Sequence, residues 1–430
     1  MDNPEFITIP QCSAPFEKHL QLPGSKSITN RALITAALAG DESKLSNVLF
    51  SDDTRYMMEA LNQLGIKVVK FPRSHEVKIH GSGGNLDCPN RRIYVGNSGT
   101  CMRFLTSVAC LGNGTYLLDG DERMRERPIQ DLIDGLQSIG VSLHSVQGNG
   151  CPPVRIHASG LPGGEIEMRG TTSSQYFSSI MLAAPLARER IVLKVIGDLV
   201  SRPYVAMTAS IMAQFGARAH FPEKQTIRVD PGSYISKDYA IESDFSAASY
   251  FMAAAACTSS KITLTHLPKD SIQGDSVFID IIRKMGSKVF QAEDGIEITG
   301  TEVLHPVDVD LYDCSDLLPT IAVLALFAEG KTRIRNVENV RVKETDRLNA
   351  LNVEIKKLGG NVVEFRDGLE IIGKKPSEYN GALIHTYNDH RMAMAFSVAG
   401  LLVPGIRIAN PSCTAKTYPK FFDDFLSLVT

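Results

Sequence analysis

At 430 residues the chain exceeds one ordinary core, so two domains are the default expectation. Apolar residues at 43% and charged residues at 22% describe a globular protein, and a net charge of −3 argues against a general nucleic-acid binder, so any anion site must gather its cations locally. The eight cysteines show no C-x-x-C pair and no metal-type spacing, which points to reduced thiols rather than a disulfide framework. The opening MDNPEFITIP has acidic residues and no apolar run, and the Ala-rich runs are shorter than a membrane span, so a cytoplasmic protein off the membrane is expected.

Taken in chain order, the predicted elements repeat. GSKSITNRALITAALAG, from Gly24, has a small polar opening and then an apolar helix. YMMEALNQLGIKVVKF follows, an amphipathic helix that ends in a glycine and runs into an alternating strand. The same pair recurs as GNSGTCMRFLTSVACLG from Gly96 with DLIDGLQSIGVSLHSV, then GTTSSQYFSSIMLAAPLA from Gly170 with YVAMTASIMAQFGARAHF. It recurs again as ESDFSAASYFMAAAA from Glu242 with VFIDIIRKMGSKVFQ, and DCSDLLPTIAVLALFAEG from Asp313 with RLNALNVEIKKLGGNVVEF. The sixth copy, NDHRMAMAFSVAGLL from Asn388, is cut short at KFFDDFLSLVT. The period is about 70 to 75 residues, longer than that of common solenoids.

Each unit reads as strand, buried helix, strand, amphipathic helix, strand, strand: a βαβαββ unit of an α/β protein. Helices apolar nearly all round belong inside, with sheets outside, an inside-out α/β barrel. Six units exceed one core, so three per domain are expected. A strand before Leu22 can complete the second domain, which gives a discontinuous domain of 1–22 plus 242–430 and a second of 23–241; two domains in series is the simpler alternative.

A helix start leaves N–H groups free, and with the helix dipole it attracts anions. Lys26 and Arg31 flank the first start, Arg103 lies on the second and Arg391 on the sixth. The expectation is that these starts point into one cleft between the domains. LPGSKSITNR is not a Walker loop, and Gly81-Ser82-Gly83-Gly84 lacks the third glycine of a dinucleotide fingerprint.

LPGSKSITNRAL resembles the opening signature of the EPSP synthase family of enolpyruvyl transferases. So do GNSGTCMR, RMRERPI, SSQYF, GDLVSRPY, RVKETDRL, YNDHRMAM and CTAKTYP, in that order across nearly the whole chain. The resemblance implies a two-domain fold of six units with the active site in the interdomain cleft. It implies transfer of the enolpyruvyl group of phosphoenolpyruvate to the 5-hydroxyl of shikimate 3-phosphate with release of phosphate, on the route to aromatic amino acids. No metal or organic cofactor is implied, and a monomer without nucleic-acid partners is expected.

Carried over by position, the resemblance assigns Lys26 to both substrates and Ser27 and Arg31 to the shikimate carboxylate. Ser173, Ser174 and Ser201, completed by Asn339 and Lys343, take the 3-phosphate. Gln175 lies between the ligands, and Asp316 bonds the ring hydroxyls. Gly99, Arg127, Arg347, Arg391 and Lys416 take phosphoenolpyruvate. Glu344 takes part in proton transfer; Asp316, Glu344 and Lys26 are the candidate acid and base groups, with Asp316 taken as base toward the hydroxyl and Glu344 with Lys26 as donor, and which group moves which proton stays open.

The residue types suit that chemistry. The two substrates together carry about five negative charges, counting each phosphate as −1.5 to −2, and arginine's planar fork fits carboxylate and phosphate. Protonating the methylene while a hydroxyl attacks the neighbouring carbon needs an acid and a base on opposite sides. On residue types alone, Glu344, Asp346 and Arg347 also read as a solvated helix opening, His390 as a satisfied polar residue, and Cys413 as packing. Phe104 stands where many family members have proline; it is expected to shift Gly99 slightly and to bear on glyphosate, which occupies the family's phosphoenolpyruvate site. Val340 replaces a common aromatic, with local repacking expected. Two alternatives are a sister transferase acting on UDP-N-acetylglucosamine, disfavoured because Asp119–Ile129 holds no cysteine, and a non-catalytic anion- or RNA-end-binding module, expected to be more basic.

Overall fold

The computed structural model describes residues 5–86 and 90–429; Cys88 and the opening residues 1–4 of the leader reading lie outside them. The chain forms two compact units, Gly24–Ile241 and Met1–Pro23 with Glu242–Thr430.

In the unit Gly24–Ile241, helices α1 (Lys26–Leu38), α3 (Gly99–Ala109) and α5 (Ser174–Ala183) are buried almost throughout. Their small and apolar side chains allow contact on every side. The other three, α2 (Asp52–Gln63), α4 (Gln130–Ser138) and α6 (Arg202–Gln214), bury one face. In α2, Met57, Met58, Ala60 and Leu61 face inward while Asn62 and Gln63 meet solvent. The second unit repeats the scheme with buried α7 (Phe245–Cys257), α9 (Leu318–Ala325) and α11 (His390–Gly400). Its one-sided partners are α8 (Phe278–Lys284), α10 (Arg347–Lys357) and α12 (Phe421–Leu426). Gly65, Gly140, Gly216, Gly286 and Gly359, which end the amphipathic helices, all take left-handed φ values between 81° and 111°.

Among the described residues there are six sheets, three per unit, and five of them have four strands. The common order is seen in Arg91–Tyr94, Asn113–Asp119, Val154–Ser159 and Ser142–Ser145, where the first pair is parallel and the others antiparallel. A buried helix joins four of the six parallel pairs, as a parallel crossover requires. Two sheets depart from this local pattern. The strand Glu17–Gln21 precedes α1 but pairs with Lys261–Thr265, in the sheet under α7. Conversely, Tyr239–Ala240 precedes α7 but pairs with Glu42–Ser46, in the sheet over α1.

Each crossing of the chain is tied on its own side. Ser243 Oγ donates to the Leu22 carbonyl and the Asp244 amide to that of Pro23, at 2.9 and 3.0 Å. Asn47 Nδ2 donates to the Ile241 carbonyl at 2.8 Å. The truncated sixth repeat is completed from elsewhere: Phe6–Thr8 runs antiparallel to Arg407–Ala409, in the place a hairpin strand takes in the other units. No helix among the described residues is long and apolar enough to cross a membrane.

Candidate active site

The helix starts prove more self-contained than a row of open anion sites. Ser98, Ser173, Asp244 and Asp389 each cap their own helix, accepting from the amides of Cys101, Gln175, Ala247 and Arg391. Two of those caps are carboxylates, which oppose an anion at α7 and α11. The caps of α1 and α9 make no side-chain bond, and α1 then carries Lys26 at its first position.

In the unit Gly24–Ile241, Lys26 Nζ stands 3.6 Å from Asp53, a carboxylate buried at the start of α2. Arg31 is buried inside the helix layer, with its guanidinium turned to neutral acceptors. Nε donates to Thr208 Oγ1 at 2.7 Å, Nη1 to the Ser27 carbonyl at 2.9 Å and Nη2 to the Tyr204 carbonyl at 3.2 Å. The Phe104 ring lies 5.0 Å from its Cζ, a cation–π contact that partly replaces lost hydration. Burial pulls the Arg31 pKa down to about 10, with Tyr204 opposing it.

Arg127 is held by the carbonyl and side chain of Asn97 at 3.1 and 2.9 Å. Gly99 lies against it: a Cβ there would stand 2.6 Å from both Arg127 Nη2 and Arg103 Nη1. Arg103 turns inward and donates to the Pro128 carbonyl at 3.0 Å, so it buttresses the Arg127 segment. Gln175 reaches Thr100 Oγ1 at 3.3 Å, and Ser173 and Ser174 share its helix start. Ser201, in a left-handed conformation, precedes α6.

In the other unit the assigned side chains gather round one guanidinium. Arg347, 1% exposed, donates Nε to Asp389 Oδ2 at 2.7 Å, Nη1 to Asp316 Oδ1 at 3.0 Å and Nη2 to Glu344 Oε2 at 2.9 Å. Nη2 also reaches Asp389 Oδ1 at 3.4 Å, so four of its five N–H groups point at carboxylates. Asp316 further accepts from Lys343 Nζ at 2.6 Å and Arg391 Nη2 at 2.7 Å. Ser315 Oγ takes both Asn339 Nδ2 and Lys343 Nζ, at 3.1 and 3.2 Å. Lys416 Nζ is 3.8 Å from Glu344.

Burial works to raise the Asp316 carboxyl, but Arg391, Lys343 and Arg347 outweigh it and hold the group well below the usual range. Burial likewise works to lower Arg347, yet Asp389, Glu344 and Asp316 keep it above the ordinary arginine value. Lys343 is lowered, chiefly by burial. Burial pushes the Cys413 thiol up to about 12, which leaves it inert packing. Val340 is fully buried.

Sequence reasoning missed the carboxylates that aim the cations: Asp389 for Arg347, Asp53 for Lys26, and Asn97 as the neutral counterpart for Arg127. Asp389 carried a local signal, an aspartate one residue before the apolar helix. The other two meet their partners across elements and left none.

Residues 10–425 match the family model for EPSP synthase (3-phosphoshikimate 1-carboxyvinyltransferase). The chain is 42% identical over 426 residues to the 3-phosphoshikimate 1-carboxyvinyltransferase of Trichormus variabilis, covering 99% of each chain. It is 43% identical over 418 residues to that of Tolumonas auensis, covering 96% of this chain and 97% of the relative. EPSP synthase from Acinetobacter baumannii superposes with a TM-score of 0.81 at 26% identity, covering 97% of this chain and 96% of that one. The enolpyruvyl transferase NikO from Streptomyces tendae shares the fold, with a TM-score of 0.80 at 18% identity over 98% of this chain and 97% of that one. The repeated α/β units, the clustered cations and carboxylates, and a match that runs almost from end to end agree: the chain belongs to the EPSP synthase family.

Proposed function

We propose that the chain transfers the enolpyruvyl group of phosphoenolpyruvate to the 5-hydroxyl of shikimate 3-phosphate, giving 5-enolpyruvylshikimate 3-phosphate and phosphate. The observation that carries the reading is the sharing of Arg347 by Asp316 and Glu344, with Lys343, Arg391 and Lys416 around them. Two carboxylates on one fork, amid surplus cations, suit an addition that needs a base, an acid and anion binding together.

Asp316 accepts the proton of the attacking hydroxyl. Its three cations alone make it a weak base; substrate anions that draw on those cations raise its basicity when it is needed. Glu344, beside Lys416, protonates the methylene with Lys26, and the same groups reverse the proton flow as phosphate leaves. Arg127, Arg391, Lys416 and the remaining Arg347 N–H, with Gly99 leaving room, hold phosphoenolpyruvate. Ser173, Ser174, Ser201, Asn339 and Lys343 hold the shikimate phosphate, Ser27 and Arg31 its carboxylate, and Gln175 lies between the ligands. A working monomer is part of the same reading; the net charge of −3 and seven free cysteines among the described residues support a cytoplasmic protein without nucleic-acid partners.

The test is direct. Mixing protein, phosphoenolpyruvate and shikimate 3-phosphate releases inorganic phosphate at an enzymatic rate, and omitting either substrate abolishes release. No release from freshly folded protein refutes the reading.

A further inference from the structure

Asp275 lies in the turn Gly274–Val277 before α8 and is 3% exposed. No role in the mechanism above falls to it. Its Oδ2 accepts from Ser246 Oγ on α7, and its Oδ1 has no hydrogen-bond partner among the described residues. A buried carboxylate oxygen without a donor is costly, so the group needs a reason to be there. Ser246 supplies the connection. Its Oγ also receives Arg391 Nη2 at 3.4 Å, and that same nitrogen donates to Asp316 at 2.7 Å. Asp275, Ser246, Arg391 and Asp316 thus form one continuous chain.

The charges facing Asp275 come from three elements. Burial is the largest influence on its carboxyl; Asp316 from the 315–317 turn and Asp244 from the start of α7 push the same way. Arg391 on α11 opposes them, and the balance stands at about 6. Cys314, next to that turn, feels Asp275 and is itself pushed up, mainly by burial, so it stays neutral. Tyr250 on α7, which contacts Arg391, is pushed up to about 12 by burial and also stays neutral. Arg391 is therefore the charge that keeps Asp275 ionised.

We propose that Asp275 takes up one proton on Oδ1 when a phosphate or carboxylate docks on Arg391, so that anion binding at this site carries a proton in from solution. This rests on Arg391 as an anion-binding residue. An anion on the guanidinium cancels the field that favours the ionised form and adds a negative charge of its own. Asp316, Asp244 and burial are then opposed only by the Ser246 hydrogen bond. The proton comes from the solvent and goes to the oxygen that lacks a donor; the Ser246 bond to Oδ2 is kept, and no other bond changes. The proton leaves when the anion leaves. Asp275 is a positioning residue: it offsets part of the charge the ligand brings, and apparent affinity for the anion weakens as pH rises from about 6 toward 8.

The experiment is calorimetric titration with phosphoenolpyruvate at pH 7, in buffers of different ionisation enthalpy, of the wild type and Asp275→Asn. The ligand's own phosphate ionisation is common to both, so the difference isolates Asp275. The wild type is expected to take up about half a proton more per ligand bound than the variant. Equal proton counts overturn the proposal while leaving Arg391 as an anion site. No saturable binding to the wild type overturns both. Should Asp275→Asn fail to fold, infrared difference spectra of the wild type decide: a protonated-carboxyl band that grows with phosphoenolpyruvate and shifts in Ser246→Ala supports the proposal, and a spectrum without one overturns it.

Discussion

Asp389 shows how much of a cation's work depends on its anion. It is fully buried, caps α11 through the Arg391 amide, and takes two hydrogen bonds from Arg347. Replacing it with asparagine leaves the Arg347 guanidinium short of a buried counter-charge. Asp389→Asn is expected to lose about 3 kcal/mol of stability in urea unfolding, the scale of breaking a buried pair, and to raise the KM for phosphoenolpyruvate. Stability within about 0.5 kcal/mol of wild type would contradict the central place given to this pair.

Lys26 is the second residue on which much hangs. Lys26→Met is expected to cut kcat by at least about a hundredfold, the scale of losing an electrostatic contact to the transition state. Since Asp53 then stays buried without that ammonium, circular dichroism must first show the variant folded. Near-normal turnover in folded protein would remove Lys26 from the chemistry. Of the cations around Asp316 and Glu344, Arg391 is legible at its helix start, whereas Lys343, Arg347 and Lys416 come only with the family resemblance. Asp53, which meets Lys26 from another element, is not legible, because a carboxylate buried by a distant element looks in sequence like any solvated one.

At the scale of the element, the six buried helices were legible because small apolar residues on every face leave few alternatives to full burial. Their starts hold less free amide than the dipole argument expects, because in four of six the capping side chain already occupies one. Helix α3 turns this into a test. Gly99 opens the helix, where alanine costs no backbone strain and helix propensity alone would favour it. Its Cβ would nevertheless fall 2.6 Å from the Arg127 and Arg103 guanidinium nitrogens. Gly99→Ala is therefore expected to keep or slightly raise the melting temperature while raising the KM for phosphoenolpyruvate about tenfold, the displacement of one bound charge. An unchanged KM in steady-state kinetics would mean that Arg127 does not touch that substrate.

At the scale of the whole molecule, alternating strands announced themselves, but their partners did not. A period of two tells which residues share a face and not which neighbour pairs with them. Glu17–Gln21 reads like any strand before a buried helix, yet it belongs with Lys261–Thr265. Phe6–Thr8 gives no hint that it completes the sheet of the sixth repeat. The sheets of the unit Gly24–Ile241 draw on no strand from outside it, whereas those of the other unit need strands from both of its segments. Residues 24–241 expressed alone are thus expected to fold, with dispersed amide signals in NMR spectra. Residues 242–430 alone are expected to remain loosely packed until a peptide of residues 1–23 is added. Cooperative unfolding of 242–430 without the peptide would contradict that dependence.

The long-range pairing of Phe6–Thr8 and Glu17–Gln21 also sets an order for events on the ribosome. Both strands are synthesised before residue 24, yet the nearer of their partners is about 240 residues downstream and the farther about 400. The intervening segment can complete its own core while translation continues, holding two unsatisfied strands at its leading end. A nascent chain paused before residue 261 would therefore expose ready-made edges to its neighbours, and chaperone capture of this protein should concentrate on the first two dozen residues.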